Sequence, residues 1–258
     1  MRFVVAIKQV PDTENMAMND DGTVDRTGVR PVMDPYSEYA LRRILKSKRD
    51  GDTVSVVSMG PPQAESVLRR CVALGADSAC LLSDPAFAGA DVWATARVLA
   101  SYMQKFECGY DCMVFGRMSS DGETGQLPFE VAGLLDVEQH AYVTDLRRDG
   151  DSMISVQDYG DVVRECSVGA GAVIAFAGVD PNGTFMDVPG FLTSLESDIV
   201  TRNRVDLGLG LYSVGSKGSP TSIRRIGTVG STRRNRKVLI KDPRRAADLV
   251  LGELEAME

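Results

Sequence analysis

The sequence predicts an α/β fold with a doubly wound parallel sheet. Short apolar runs alternate with stretches of helical spacing through the first two thirds of the 258 residues, and a turn with several glycines follows the apolar run from Cys112 to Phe115. Such a βαβα series builds a parallel sheet that is covered by helices on both faces. Ligands of these sheets bind at the carboxyl ends of the strands.

The first elements follow from the spacing of apolar residues. Phe3 to Ile7 is predicted as a strand and Ser37 to Lys48 as a helix. Val54 to Ser58 is predicted as the second strand. Pro62 to Leu74 follows as a helix with proline near its start, where proline is well tolerated. Ala79 to Leu82 is then a short strand.

The later elements continue the alternation. Val92 to Phe106 has helical spacing, and Cys112 to Phe115 is apolar enough for a central strand. Ala141 to Val163 is predicted to form a small antiparallel segment, with Arg148-Asp149-Gly150-Asp151 as its hairpin turn. Ala172 to Ala177 returns to the sheet.

Core periodicity is lost after Gly178. A long irregular segment is unusual inside a compact domain, so we expect this one to gain its order from another polypeptide. We therefore predict an adenine-nucleotide-binding α/β domain over residues 1–190 and an extended C-terminal arm over residues 191–258. Within the arm, Gly210 to Lys217 is interpreted as a turn, and Pro243 to Glu255 has the spacing of a short terminal helix.

Composition limits the possible functions. The net charge of −7 argues against nucleic acid as the main partner. No apolar run reaches the roughly 18–20 residues that span a bilayer, so we expect no stable membrane insertion. The apolar part of the amino terminus is too short for a secretory signal, which predicts a cytoplasmic protein. A basic block from Arg224 to Arg245 indicates either docking on an acidic surface or phosphate, or a solvated arm.

Several common kinds of site are disfavoured. The first strand is followed by Lys8-Gln-Val-Pro-Asp12 and not by the glycine run of a dinucleotide-binding turn. His140 is the only histidine, which gives little support to a hydrolytic triad or a metal site. The five cysteines lack zinc-type spacing and are expected to be free thiols.

The stretch from Asp111 to Gln126 is typical of a nucleotide site, because it combines a buried strand, a turn with glycines and the start of a helix. The glycines let the backbone approach a ligand, and unpaired N–H groups at the helix start attract phosphate. Asp121 and Glu123 would repel a phosphate unless they act as caps or contact ribose hydroxyls.

Four loops are predicted to converge at one edge of the sheet and to enclose one adenine nucleotide. Ala6 is small where a planar base could lie against the backbone, Asp34 or Ser37 caps a helix, and Met59 ends a strand. Each feature alone is explained by a turn or a cap, so the prediction depends on their convergence. The candidate binding residues are Ala6, Asp34, Pro35, Tyr36, Ser37, Met59, Arg117, Met118, Ser119, Ser120, Asp121, Gly122, Glu123, Thr124, Gly125 and Gln126.

Five segments together resemble the beta subunit of electron-transfer flavoproteins, and they span nearly the whole chain. Their order and spacing carry the resemblance, since each segment alone is weak. They are Val5 to Thr13, Met33 to Leu41, Val57 to Asp77, Gly116 to Gln126, and Asp206 to Leu209 together with Gly215 to Thr221.

The resemblance implies a sheet of the universal-stress-protein and ATP-pyrophosphatase type. It implies an alpha subunit that the C-terminal arm wraps, an electron-transferring FAD shared with that subunit, and a redox partner such as a dehydrogenase. In this subunit it implies AMP, as in plain carriers, or a second FAD, as in electron-bifurcating relatives that oxidise NADH. The Lys8-Gln-Val-Pro-Asp12 opening favours FAD. No catalytic side chain is implied.

The chain departs from the family pattern in places. Asp180-Pro-Asn-Gly183 and Pro189 to Glu196 stand where the family has an arginine motif and a lysine-rich segment. The missing lysines argue against recognition of acyl-CoA dehydrogenases, and Phe191, Leu192 and Leu195 are expected to contact a different redox partner. Asp34 and Ser119-Ser120 also differ, which leaves the identity of the nucleotide open. The alternatives are a stand-alone stress-protein-like nucleotide-binding regulator and, ranked last, an enzyme that activates a substrate with ATP.

Overall fold

The computed structural model describes residues 1–12, 31–150, 152–179, 185–222 and 242–255. Met1–Ser222 form one compact unit, and Ile223–Glu258 belong to a second. In the first half of the chain the elements are β1 (Arg2–Ala6), β2 (Gln9–Pro11), β3 (Pro31–Met33), α1 (Pro35–Ser47), β4 (Thr53–Met59), α2 (Glu65–Ala73), β5 (Ser78–Leu82), α3 (Val92–Phe106) and β6 (Cys112–Gly116).

In the second half the elements alternate less regularly. They are α4 (Leu127–Leu135), β7 (Gln139–Asp149), β8 (Ser152–Asp158), β9 (Val163–Val168), β10 (Ala172–Phe176), α5 (Val188–Glu196), β11 (Ile199–Arg202), α6 (Gly215–Gly218) and α7 (Pro243–Glu255). Helix α7, in the second unit, has the bounds that its apolar spacing predicts.

One large sheet organises the first unit, in the order β11-β5-β4-β1-β6-β10-β7-β8-β9. The neighbours from β11 to β7 are parallel, and β7, β8 and β9 are antiparallel. From β1 the chain builds outward through β4 and β5, then returns to place β6 on the other side of β1. The strand order therefore reverses between β1 and β6, which is where ligands of doubly wound sheets bind.

The core has two layers, because successive residues of a strand point to opposite faces. Phe3 and Val5 of β1 pack with Ile44 of α1 on one face. Val4 packs on the other face with Leu99 of α3. The predicted doubly wound α/β fold is confirmed.

One element that the sequence did not predict is at the sheet edge. β11 pairs in parallel with β5, and α5 precedes it on the same compact unit. Ile199–Arg202 is a four-residue strand in which two residues are exposed and two half-buried, so its sequence shows no core periodicity. Gly210 to Lys217, interpreted as a turn, contains the four-residue helix α6.

Parts of several predictions lie outside the described residues. They include Asp151 of the hairpin turn, the Asp180 to Gly183 segment and the basic residues from Arg224 to Lys241. The predicted wrapping of an alpha subunit by residues 191–258 concerns a second chain and stays a prediction. In the part of the chain that is described, every helix is too short or too polar to cross a bilayer.

Asp52 is a buried carboxylate at the amino end of the sheet. It accepts hydrogen bonds from the Met1 amino group, the Arg148 guanidinium and, at 2.9 Å, the Arg49 backbone N–H. Burial alone would raise the pKa of Asp52, but these three donors together lower it from 3.8 to about 2. The ionised form is therefore favoured in the folded protein.

We predict that Asp52 makes stability depend on pH in the acid range. Because its folded pKa is lowered, its contribution of about 2 kcal/mol is present above roughly pH 5 and is lost as the pH falls through about 4 toward 2. Urea unfolding of the wild type and Asp52→Asn across this range measures the effect. The free-energy difference between the two proteins should shrink as the pH falls, and a constant difference would contradict the assignment.

Candidate functional site

The candidate site lies at the carboxyl ends of three parallel strands. Ala6 ends β1 and Met59 ends β4, and both are half-buried against the same core layer. Gly116 ends β6 on the other side of β1. The residues that follow these strands therefore meet at the carboxyl edge, beside the reversal of strand order.

Asp34 joins two of the predicted loops. Its carboxylate accepts from the backbone N–H of Ser37 at 3.0 Å, which caps α1, and from the backbone N–H of Ser120 at 2.8 Å. The residue is only 1% exposed. Both oxygens are thus used to hold the loop after β6 against the start of α1, where Pro35 and Tyr36 form the first turn.

Close packing at Gly116 brings the same two loops together. A Cβ atom on Gly116 would lie 2.5 Å from the carbonyl carbon and oxygen of Tyr36. Real Cβ atoms do not approach a backbone so closely, so this position requires glycine. The contact places the start of α1 directly against the end of β6.

Lys8 crosses from the loop after β1 to the turn after β6. Its ammonium group donates to Asp121 Oδ1 at 2.6 Å and to Ser119 Oγ at 3.2 Å. Burial would raise the pKa of Asp121, but the bonds from Lys8 and Ser119 lower it below its ordinary value. Of the two carboxylates that oppose a phosphate site, Asp121 is therefore paired with a cation. Lys8 was absent from the predicted set, although its place directly after a strand could have indicated it.

The turn from Ser119 to Gln126 has an unusual backbone. Glu123 and Gly125 have φ angles of 52° and 64°, in the left-handed region. The Glu123 N–H donates to the Ser119 carbonyl at 2.8 Å, and Gln126 precedes α4 without a side-chain cap. Within the described residues, no backbone hydrogen bond uses the N–H groups of Thr124, Gly125 or Gln126. These groups can therefore donate to an anion.

A cavity of about 160 Å³ adjoins this turn on the side of β10. Five members of the predicted set line it, together with three residues that the sequence did not indicate. The lining residues are Arg117, Met118, Glu123, Thr124, Gly125, Phe129, Tyr142 and Ala175. Many of the predicted residues thus form two groups, one around Asp34 and one around this cavity, and both contain parts of the loop after β6.

Among the described residues, neither metal ligands nor the buried thiols of Cys80 and Cys112 indicate a second reactive site. The described residues hold no cluster of ligands for a metal ion. The five cysteines are free, and burial raises the pKa of the Cys80 thiol to about 11 and of the Cys112 thiol to about 12. Thiols in this state are poor nucleophiles.

The comparison with known proteins decides the family. The family model described as "Electron transfer flavoprotein domain" matches residues 21–179, which is more than half of the chain. The chain belongs to the electron transfer flavoprotein family. The predicted family is therefore confirmed.

Three relatives of this electron transfer flavoprotein chain define its role. It is 35% identical to the caffeyl-CoA reductase-Etf complex subunit CarD of Acetobacterium woodii, over 87% of each chain. It is 32% identical to the electron transfer flavoprotein subunit beta of Clostridium acetobutylicum, over 99% of this chain and 98% of the relative. It is 31% identical to the acryloyl-CoA reductase electron transfer subunit gamma of Anaerotignum propionicum, over 86% of each.

The role is that of an electron-transfer beta subunit. The alternative of a stand-alone nucleotide-binding regulator is not favoured, because these relatives are named as subunits of electron-transfer proteins or reductase complexes. The predicted nucleotide-binding residues stay predictions.

Proposed function

We propose that this beta subunit binds one adenine nucleotide, AMP or FAD, at the carboxyl edge between β1 and β6. One observation carries the proposal. The carboxylate of Asp34 and the ammonium group of Lys8 tie the loops after β1, β3 and β6 together at the point where strand order reverses.

The residues at this edge fit an adenine nucleotide. The N–H groups of Thr124 to Gln126, which make no backbone hydrogen bond among the described residues, suit a phosphate. Gly125 presents no side chain there, and its left-handed backbone turns the chain toward α4. The half-buried side chains of Ala6 and Met59 offer an apolar surface for a planar base.

We further propose that the chain works as a heterodimer with an alpha subunit in the cytoplasm and shares an FAD with it. A bound flavin supplies the ability to accept and release electrons. The residues of this chain then bind and orient the nucleotide and exclude water, so the role requires no catalytic side chain here.

The identity of the nucleotide is tested on the pair purified after co-expression with the alpha subunit. The absorption spectrum gives the flavin content, and mass analysis identifies the nucleotides that are released. Two flavins per heterodimer support FAD in this subunit, and one flavin plus AMP supports a plain carrier. A pair without an adenine nucleotide in this subunit would contradict the proposal.

Reaction with NADH distinguishes an electron-bifurcating protein from a plain electron carrier. If this subunit holds FAD, anaerobic addition of NADH should bleach flavin absorbance in the heterodimer. A pair that holds one flavin, binds AMP and does not react with NADH is a plain carrier that moves electrons between dehydrogenases and other redox partners.

The exposed side of α5 is a candidate contact for a redox partner such as a dehydrogenase. Phe191, Leu192 and Leu195 are each about half exposed on this helix. Exposed apolar side chains grouped on one short helix are typical of protein contacts. Their apolar character indicates a partner that differs from one bound by a lysine-rich segment.

We predict that deleting residues 223–258 leaves the sheet unit folded and weakens assembly with the alpha subunit. The deletion begins after Ser222 because the preceding segment belongs to the sheet unit. Val214 is fully buried in the core, and Ser219 Oγ accepts from the Asp91 N–H at 2.8 Å. Co-purification with tagged alpha subunit measures assembly. An undiminished yield of the truncated chain would contradict the arm proposal.

A further inference from the structure

Tyr142 has a backbone conformation that a bulky residue rarely adopts. Its φ angle is 52°, in the left-handed region. The residue lies at a register shift, since Ile174 pairs with His140 and Phe176 pairs with Val143. Two residues of β7 thus oppose one residue of β10, which is a β-bulge. Bulges and strained backbone of this kind are common beside functional sites, where they redirect a side chain.

The redirected ring lies at the cavity and contacts an arginine. Tyr142 lines the cavity and is 42% exposed, and the guanidinium carbon of Arg117 lies 5.6 Å from its ring centroid. This distance is within the range of a cation–π interaction. The guanidinium is therefore restrained at the cavity by the ring, although Arg117 itself is exposed on the loop after β6.

A second aromatic ring supports the Tyr142 ring. Tyr159 packs edge-on against Tyr142 with centroids 5.4 Å apart, and its hydroxyl donates to Gln157 Oε1 at 2.8 Å. The Gln157 amide donates in turn to Ser155 Oγ at 3.1 Å, and both residues are buried. A chain of contacts thus runs from the interior of the β7–β8 pair to the guanidinium of Arg117.

The cavity is smaller than a pocket for a whole small molecule and larger than one water molecule needs. Its volume of about 160 Å³ is well below the roughly 300 Å³ at which pockets for whole small molecules begin. It is well above the roughly 10–15 Å³ that a cavity needs to hold one water molecule. Thr124 and Gly125 belong both to its lining and to the turn proposed for phosphate, so the cavity continues from that turn.

We propose that Tyr142 is a positioning residue that holds the Arg117 guanidinium at this cavity, and that the cavity takes the second phosphate of a nucleotide. The inference rests on the proposed nucleotide site and selects a ligand with at least two phosphates over AMP. A planar guanidinium suits phosphate because it donates in a fork. The carboxylate of Glu123 is the acidic group in the lining, and it opposes an anion.

The test compares AMP with ADP by calorimetry, on protein purified with its alpha subunit and stripped of nucleotide. We expect the wild type to bind ADP roughly tenfold more tightly than AMP, as one charge-assisted contact provides. Arg117→Ala should remove most of this preference. Tyr142→Asn should do the same, because asparagine tolerates the left-handed backbone but lacks the ring. Tyr142→Phe should keep the preference, and Glu123→Gln should increase it.

Arg164→Ala is the matched control. The guanidinium carbon of Arg164 lies 5.4 Å from the centroid of the Tyr159 ring. Arg164 is not among the residues that line the cavity. The control should keep the wild-type preference. Equal binding of AMP and ADP by the wild type overturns the inference, as does a preference that Arg117→Ala leaves unchanged. If either result is found but AMP still binds, the proposed nucleotide site stands. A wild-type protein that binds neither AMP nor ADP overturns both the proposed nucleotide site and this inference.

Discussion

Replacing Gly116 with alanine is expected to destabilise the protein by about 3 kcal/mol, at the upper end of the usual cost of overpacking. The added Cβ would lie 2.5 Å from the carbonyl group of Tyr36. A backbone group cannot rotate away, so the start of α1 must shift. The shift also disturbs the bonds from Asp34 to Ser37 and Ser120.

Gly133→Ala is the matched control for this prediction. Gly133 lies inside α4, and a Cβ there meets nothing within 4 Å. Alanine favours a helix over glycine by up to about 1 kcal/mol, so this variant should be as stable as the wild type or more stable. Urea unfolding measures both. A Gly116→Ala protein within about 0.5 kcal/mol of the wild type, the range of neutral surface changes, would show that the two loops are not in contact.

Replacing Gly125 with valine is expected to remove the nucleotide. The φ angle of Gly125 is 64°, which a β-branched residue adopts only with strain of about 1–3 kcal/mol. The valine side chain also enters the backbone surface that is proposed to meet phosphate. Nucleotide affinity should fall at least about tenfold, which corresponds to about 1.4 kcal/mol. Thr124→Ala should cost less, about 1 kcal/mol, the usual contribution of one hydrogen bond.

Gly150→Val is the control that distinguishes damage to the nucleotide site from the effect of backbone strain alone. Gly150 has a φ angle of 58° in the β7–β8 hairpin, and a Cβ there meets nothing within 4 Å. Valine at Gly150 should therefore impose similar local strain without loss of nucleotide. Nucleotide released from each purified variant is measured against protein. A full complement in Gly125→Val would show that this turn is not the site.

Much of the fold was predictable because its parallel strands are buried on both faces. Cys112–Gly116 and Ala172–Phe176 are entirely buried strands, and their sequences are short apolar runs. β11 was not predictable in this way, because its half-exposed residues follow no alternation. Its place in the sheet depends on pairing with β5, which is far away in the sequence.

The convergence of loops was predictable from the order of strands, but the contacts that join them were not. The sequence predicted that either Asp34 or Ser37 caps α1, and in the structure the cap is Asp34. That the same carboxylate also holds Ser120 depends on tertiary packing. Tyr142 carried no sequence signal, since its proposed role depends on a bulge between β7 and β10.

A crystal structure of the heterodimer with its native nucleotide tests the central proposal most directly. We expect density for an adenine nucleotide between the ends of β1 and β6, with a phosphate on the backbone N–H groups of residues 124–126 and the base near Ala6 and Met59. Nucleotide density elsewhere, with this edge of the beta subunit free of nucleotide, would contradict it.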